Sequence, residues 1–141
     1  MTPKCCLAGI DNNEEIALLT AVLSDAGLPA LVSITKMNIS EIAKVAPTMI
    51  VCDIDALLVD KLEQLRQLRF ILPGSTIAVY TGQLEEVWAA ACHRAGANCV
   101  LSKNSSRTEL SSGIRGAMKS GCFTDPRFEA APFIRSSKAT L

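Results

Sequence analysis

Two hydrophobic patterns alternate along the chain. Short continuous apolar runs mark strands buried on both faces of a parallel sheet. Between them lie longer stretches whose apolar residues recur every three or four positions, the pattern of amphipathic helices. The first run covers residues 4–10, through Cys5-Cys6-Leu7-Ala8-Gly9-Ile10, and closes on Asp11. Asn12 or Asn13 is placed to cap a helix, with Glu14 and Glu15 in the first turn, where the helix dipole favours acids. Ile16, Leu19, Val22 and Leu23 keep helical spacing to Ala26, and Gly27 ends that helix. Residues 30–35 read as a second strand. Asn38 or Ser40 caps a short helix over 41–45, which Pro47 stops.

The central run, Thr48-Met49-Ile50-Val51-Cys52, ends abruptly on Asp53. A third helix is predicted over 59–70, with Val59, Leu62, Leu65 and Leu68 at three-residue spacing. Pro73-Gly74 turns the chain into a fourth run, Thr76-Ile77-Ala78-Val79-Tyr80, which leads into Thr81. A fourth helix starts at Gln83 or Leu84 and runs to Ala95, ended by Gly96. The fifth run, Asn98-Cys99-Val100-Leu101-Ser102, leads into Lys103. Ser105 or Ser106 caps a fifth helix over 107–120, ended by Gly121. Five successive βα units predict an α/β fold, a parallel sheet with helices on both faces. The domain is expected over 1–121. Residues 122–141, with Pro126, Pro132, Phe123, Phe128 and Phe133, read as an extension or linker that packs partly on the domain and then frays.

Composition narrows the function. At 141 residues the chain suits one domain with one core. Aromatics are only 4%, so that core must be aliphatic. Fourteen Lys and Arg balance fourteen Asp and Glu, so no basic field points to nucleic acid or to anionic lipid. No apolar run approaches the roughly 18 residues that span a bilayer. The N-terminus enters a strand without the pattern of a signal peptide, and a cytoplasmic location is expected. Cys5, Cys6, Cys52, Cys92, Cys99 and Cys122 lack C-x-x-C spacing, and several sit inside apolar runs. They are read as packing residues rather than as a disulfide or metal framework.

In open α/β sheets the ligand crevice lies outside the carboxyl ends of the strands. Asp53, Thr81 and Lys103 put an acid, a hydroxyl and an amine at three such ends. Thr81 follows Asp53 by 28 residues (81 minus 53). Further along, Val59-Asp60-Lys61-Leu62-Glu63 tracks an M-D-G-L-E segment, and Ala95-Gly96-Ala97-Asn98-Cys99-Val100-Leu101-Ser102-Lys103 tracks A-G-A-x-G-Y-L-x-K. On these residues the stretch 4–125 resembles the response-regulator receiver domains of two-component signalling. Lys103-Asn104-Ser105-Ser106 and Phe123-Thr124-Asp125-Pro126 are similar to receivers of FixJ/NarL transcription factors.

The resemblance implies a flavodoxin-like doubly wound sandwich with a five-stranded parallel sheet of order 2-1-3-4-5. It implies Asp53 as phosphoacceptor, supplied by a sensor histidine kinase, with Thr81 and Lys103 binding phosphoryl oxygens. It implies Mg²⁺ held by Asp11, Asp53 and the backbone carbonyl of Asp55. The domain would be a switch rather than a turnover enzyme. It would act on an output or effector protein, in transcription control, and as a homodimer in one of its states, without contacting nucleic acid or membrane itself. No helix-turn-helix pattern follows residue 121, so a stand-alone receiver, or one cut before its output domain, is expected.

The sequence also departs from the family. Two acids normally close the first strand, and here the pair is Ile10-Asp11 or Asp11-Asn12, depending on register. The family's Pro and Gly after the acceptor are Leu57 and Lys61, its switch aromatic is Val100, and the Pro after its lysine is Asn104. One missing charge predicts weak metal binding. A second reading follows, a degenerate receiver acting as a phosphorylation-independent interaction module. A small-molecule-binding flavodoxin-like domain is disfavoured, since no Gly-rich phosphate loop follows the first strand. The side chains of Asp55 and Asp60 read as ordinary loop acids, Trp88 as packing, and His93 as a solvent-facing helix residue.

Overall fold

The five apolar runs become five parallel strands, the inner ones covered on both faces and the one at 31–34 lying at the sheet edge, where Val32 is exposed. The computed structural model describes residues 4–28 and 31–128. The strands are β1 (Cys5–Ala8), β2 (Leu31–Ile34), β3 (Met49–Cys52), β4 (Thr76–Thr81) and β5 (Cys99–Ser102). The helices between and after them are α1 (Asn13–Asp25), α2 (Ile39–Val45), α3 (Lys61–Ile71), α4 (Glu86–Ala95) and α5 (Arg107–Ser120). Every residue of β1, β3 and β5 is buried, which is why these strands read as unbroken runs rather than as alternation. A short sixth strand, β6 (Phe123–Thr124), pairs in parallel with β5. The sheet order is β2-β1-β3-β4-β5-β6, the expected doubly wound order with one strand added at its edge.

Alternate strand residues feed two cores. Cys6, Ile50, Ile77, Val79 and Val100 face α2, α3 and α4, where Ile42, Leu65, Leu68, Ala89 and Cys92 meet them. Leu7, Met49, Val51, Tyr80 and Leu101 face α1 and α5, where Leu19, Val22, Leu110 and Ile114 close the other side. All six cysteines are free, and all but the exposed Cys122 are buried in these layers, as packing residues should be. Burial pushes the Cys6 thiol up to about 11 and the Cys92 thiol up to about 12.

Helix starts follow the capping chemistry. Asn12 caps α1 through its side-chain oxygen, which accepts from the Glu14 and Glu15 amides, and Asn38 caps α2. Ser106 and Glu109 form a reciprocal capping box on α5. Several boundaries differ from the pattern, and α2, for one, begins at Ile39 rather than at 41, directly after its Asn38 cap. α3 begins at Lys61, because Asp60 sits in the left-handed region at φ 57° and breaks the helical phase before it. Leu58 and Val59 are therefore loop residues, 96% and 71% exposed. α4 begins at Glu86, since the Gln83 amide is turned to the Thr81 hydroxyl instead of starting a helix. β1 stops at Ala8, because Gly9 turns the chain at φ 76°. A Cβ on Gly9 would collide with the backbone carbonyl oxygen of Asp53, so glycine lets this turn pass close over the end of β3.

The chain after Gly121 stays on the domain through residue 128; residues 129–141, with Pro132 and Phe133, lie outside the described residues. Phe128 is fully buried against the α4 side of the sheet. Asp125, nearly buried, accepts from the Ser105 hydroxyl and from the Arg127 amide. Phe128→Ala is expected to destabilise the domain by about 3 kcal/mol, as large-to-small changes at buried aromatics do. Urea denaturation of the two proteins measures it, and an unchanged midpoint would show that this segment adds nothing to the core.

Candidate functional site

Strand register builds the site. Cys52 pairs with Val79, and β4 runs two residues beyond that partner, so Thr81 reaches past the end of β3 into the loop that follows. Thr81 pairs with Ser102, which places Lys103 at once beyond it, its amide donating to the Thr81 carbonyl at 2.9 Å. Asp53 follows Cys52 directly, and its amide donates to the Ala8 carbonyl at 3.0 Å. The three predicted residues thus meet at the carboxyl edge of the sheet.

Their contacts are specific. Asp53 is 8% exposed. Its Oδ2 lies 2.6 Å from Lys103 Nζ, and its Oδ1 accepts from the Asp55 amide at 2.9 Å. That short turn brings the Asp55 side chain back over the strand ends. Asp55 Oδ1 accepts the Thr81 hydroxyl at 2.7 Å, and Oδ2 accepts the Gly82 amide at 2.8 Å and lies 3.2 Å from Lys103 Nζ. The Thr81 oxygen in turn accepts from the Gln83 amide and from Trp88 Nε1, both at 3.1 Å. Lys61 Nζ stands 6.0 Å over the Trp88 ring, and Lys103 Nζ stands 5.8 Å from the Tyr80 ring centre.

The electrostatics follow. Burial pushes the Asp55 carboxyl up, but the Gly82 amide, the Thr81 hydroxyl and Lys103 outweigh it and hold the group below its ordinary value. Burial pushes Lys103 down, and its bonds to Asp53 and Asp55 outweigh that, so the ammonium is held above its ordinary value.

Asp11 is exposed and lines a cavity of about 370 Å³ together with Asp53, Thr35, Lys36, Met37 and Leu57. Neither neighbour supplies a second acid. Ile10 is buried in the α1–α5 core, and the Asn12 side chain is committed to capping α1. Asp11 and Asp53 both line this cavity, and one or two carboxylates are the usual protein share of a Mg²⁺ site, since the ion keeps several waters. Asp55 turns its carboxylate to Thr81, Gly82 and Lys103 instead. Among the described residues no group of three or more His, Cys, Asp or Glu side chains converges as a metal site.

Among solved structures the chain is similar to the isolated receiver domain of RcsB from Salmonella enterica serovar Typhimurium, determined with the phosphomimetic BeF3⁻. The TM-score is 0.75 at 13% identity, over 92% of this chain and 98% of that one. A LuxR-family two-component response regulator from Aurantimonas sp. matches with TM-score 0.74 and 19% identity over 99% of both chains. The chain has the response-regulator receiver fold. A pilus assembly-related protein from Burkholderia pseudomallei also matches, with TM-score 0.69 and 19% identity over 88% of this chain and 94% of that one. No protein-family model and no curated protein matches the sequence.

Within the receiver fold, three features lay outside the sequence reading. Asp55 acts through its side chain, as the hub of the strand-end hydrogen bonds, and is no ordinary loop acid. Trp88 packs on the core as expected, but its indole N–H also ties α4 to Thr81. His93 is half-buried and both ring nitrogens are engaged: Nδ1 lies 2.9 Å from the Ala97 carbonyl oxygen and Nε2 lies 2.7 Å from the Thr124 hydroxyl, joining α4 to β6. Lys61, at the family's glycine position, stands over Trp88. Val100 is fully buried on the α4 side, leaving Trp88 as the aromatic residue in contact with Thr81.

The lowered Asp55 carboxyl sets a pH dependence. A carboxyl depressed on folding stabilises the native state above its unfolded value, and that contribution is lost as pH falls through the folded value. Stability is therefore expected to fall on acidification through and below the ordinary carboxylate range. Asp55→Asn should flatten part of that slope. Urea midpoints measured across acidic pH check this, and identical slopes in the two proteins would contradict it.

Proposed function

We propose that the chain is a phosphorylation-controlled receiver module with Asp53 as its phosphoacceptor. The observation that carries this reading is the convergence of Asp53, Thr81 and Lys103 at one sheet edge, with Lys103 already in contact with Asp53. The donor is a phosphohistidine of a sensor histidine kinase. An Asp53 carboxylate oxygen attacks phosphorus, the P–N bond breaks, and the electron pair stays on the imidazole nitrogen, leaving an acyl phosphate. Such transfer needs positioning and charge neutralisation more than covalent help. Lys103 moves from the carboxylate to a phosphoryl oxygen, and Thr81 turns its hydroxyl to another. A Mg²⁺ ion, for which Asp11, Asp53 and the Asp55 carbonyl are the available groups, supplies further neutralisation when bound, and the sparse carboxylate set makes that binding weak.

The module is a switch rather than a turnover enzyme. It works in the cytoplasm on an effector protein or an output domain, in transcription control, with a homodimer as one signalling state. Its fourteen Lys and Arg are balanced by fourteen Asp and Glu, which gives no net attraction to nucleic acid, and among the described residues no helix is long and apolar enough to cross a membrane. A second reading, a phosphorylation-independent interaction module, draws support from Asp55, which already satisfies Thr81 and Lys103, and from the similarity to a pilus assembly-related protein.

Incubation with acetyl phosphate and Mg²⁺ is expected to add the mass of one phosphoryl group to the parent and none to Asp53→Asn. Labelling that survives the substitution would remove Asp53 from its role. Beryllofluoride is expected to change hydrogen-exchange protection across residues 82–95, where Thr81 is tied to Gln83 and Trp88, without movement at Val100. Unchanged protection in a protein that binds the mimic would favour the second reading.

A further inference from the structure

The geometry points to Asp55 as an internal stand-in for the phosphoryl group, a carboxylate that occupies the donors an incoming phosphoryl needs. This rests on the reading of Asp53 as phosphoacceptor. Three donors of different kinds converge on Asp55: the Thr81 hydroxyl at 2.7 Å, the Gly82 amide at 2.8 Å and the Lys103 ammonium at 3.2 Å. They come from the ends of β4 and β5, beside the Asp53 carboxylate, and Lys103 touches both acids. A hydroxyl, a main-chain amide and an ammonium around one anion form a cradle for an oxyanion, whichever anion fills it. Here the protein fills it with its own side chain.

The turn that seats Asp55 is itself held by Asp53, whose Oδ1 takes the Asp55 amide. The acceptor thus holds its own competitor in place. A phosphoryl group on Asp53 presents oxygens to the same three donors, and each of them must first leave Asp55. Thr81 cannot turn without disturbing its bond from Trp88, so displacement of Asp55 is felt at α4. With the donors already satisfied, the resting module sits near the hydrogen-bonding state that phosphorylation creates in a receiver whose cradle is open. A competing internal ligand lowers the apparent affinity of any external one in proportion to the fraction of open cradle.

The experiment uses the full chain and three variants, Asp55→Ala, Asp55→Asn and Asp60→Asn. Asp60 is another acid of the β3–α3 loop, and its side chain makes no cap bond on α3. Two quantities are read: the rate of phosphoryl labelling by acetyl phosphate with Mg²⁺, and the beryllofluoride concentration that half-saturates the change in fluorescence of Trp88, the one tryptophan of the sequence. Asp55→Ala is expected to label about tenfold faster than the parent and to bind beryllofluoride about tenfold more tightly, a shift in keeping with releasing several competing hydrogen bonds. Asp55→Asn, which keeps an acceptor for Thr81 but loses the charge for Lys103, should fall between. Asp60→Asn should match the parent. A residue with only a structural role would not tighten anion binding when removed, and if Asp55→Ala fails to fold, Asp55→Asn carries the comparison.

Each outcome decides a different statement. Equal labelling of parent and both Asp55 variants overturns the stand-in and leaves Asp53 as acceptor. An equal gain in Asp60→Asn reduces the effect to loss of a nearby negative charge and overturns it too. Labelling that appears only once Asp55 is removed supports the stand-in and makes the parent a constitutive module. No labelling and no beryllofluoride binding in any protein overturns both the stand-in and the phosphoacceptor reading.

Discussion

One ammonium holds two carboxylates together at the end of β3. Lys103 lies between Asp53 and Asp55, and without it two acids in a partly desolvated cleft would repel each other. The position of that ammonium is a backbone property. Ser102 pairs with Thr81, and the Lys103 amide bonds the Thr81 carbonyl, so sheet register fixes where the side chain starts. Register in turn comes from the two apolar layers, since a slip of one residue would exchange Val100 and Leu101 between the α4 and α1–α5 faces. Aliphatic packing in the two layers therefore decides the electrostatics of the cleft.

The sequence made the strands legible because buried parallel strands leave an unbroken apolar trace, and it made Asp53, Thr81 and Lys103 legible because each stands where such a trace stops. Asp55 was not legible as a side chain. Two residues past a strand, direction is set by a local turn, here the bond from its amide to Asp53, and no periodicity reports it. Gly9 stood in view inside the first run, but its purpose depends on how close the end of β3 passes beneath it. The bond from Trp88 depends on α4 starting at Glu86, a boundary that Leu84 and Gln83 obscured. β6 has only two residues, too few for any pattern, and its pairing with β5 is a tertiary fact.

The structural matches share a scaffold and not a side-chain set, since identities of 13–19% fix the path of the backbone and little else. A scaffold that serves both a LuxR-family regulator and a pilus assembly-related protein leaves function to the groups at its strand ends. In this chain those groups differ from the expected set in a coherent way. One acid is lost beside Asp11, where Ile10 serves the core and Asn12 serves a helix cap, and one acid is gained at Asp55, on the opposite side of Asp53 from the cavity that Asp11 lines. Negative charge has moved from the side where a cation would bind to the side where an anion would be held.

The burial of the thiols has a practical consequence for chemical labelling. Five of the six cysteines lie within the two apolar layers, where burial disfavours the reactive thiolate. Cys122 alone is exposed, at the junction between α5 and β6. A maleimide dye added to the native protein is thus directed to one address without any cysteine being removed. That address lies beside the strand whose Thr124 meets His93 of α4, at the opposite end of that helix from Trp88 and its tie to Thr81. The unaltered sequence carries a natural optical pair, an indole at one end of α4 and a conjugation handle near the other.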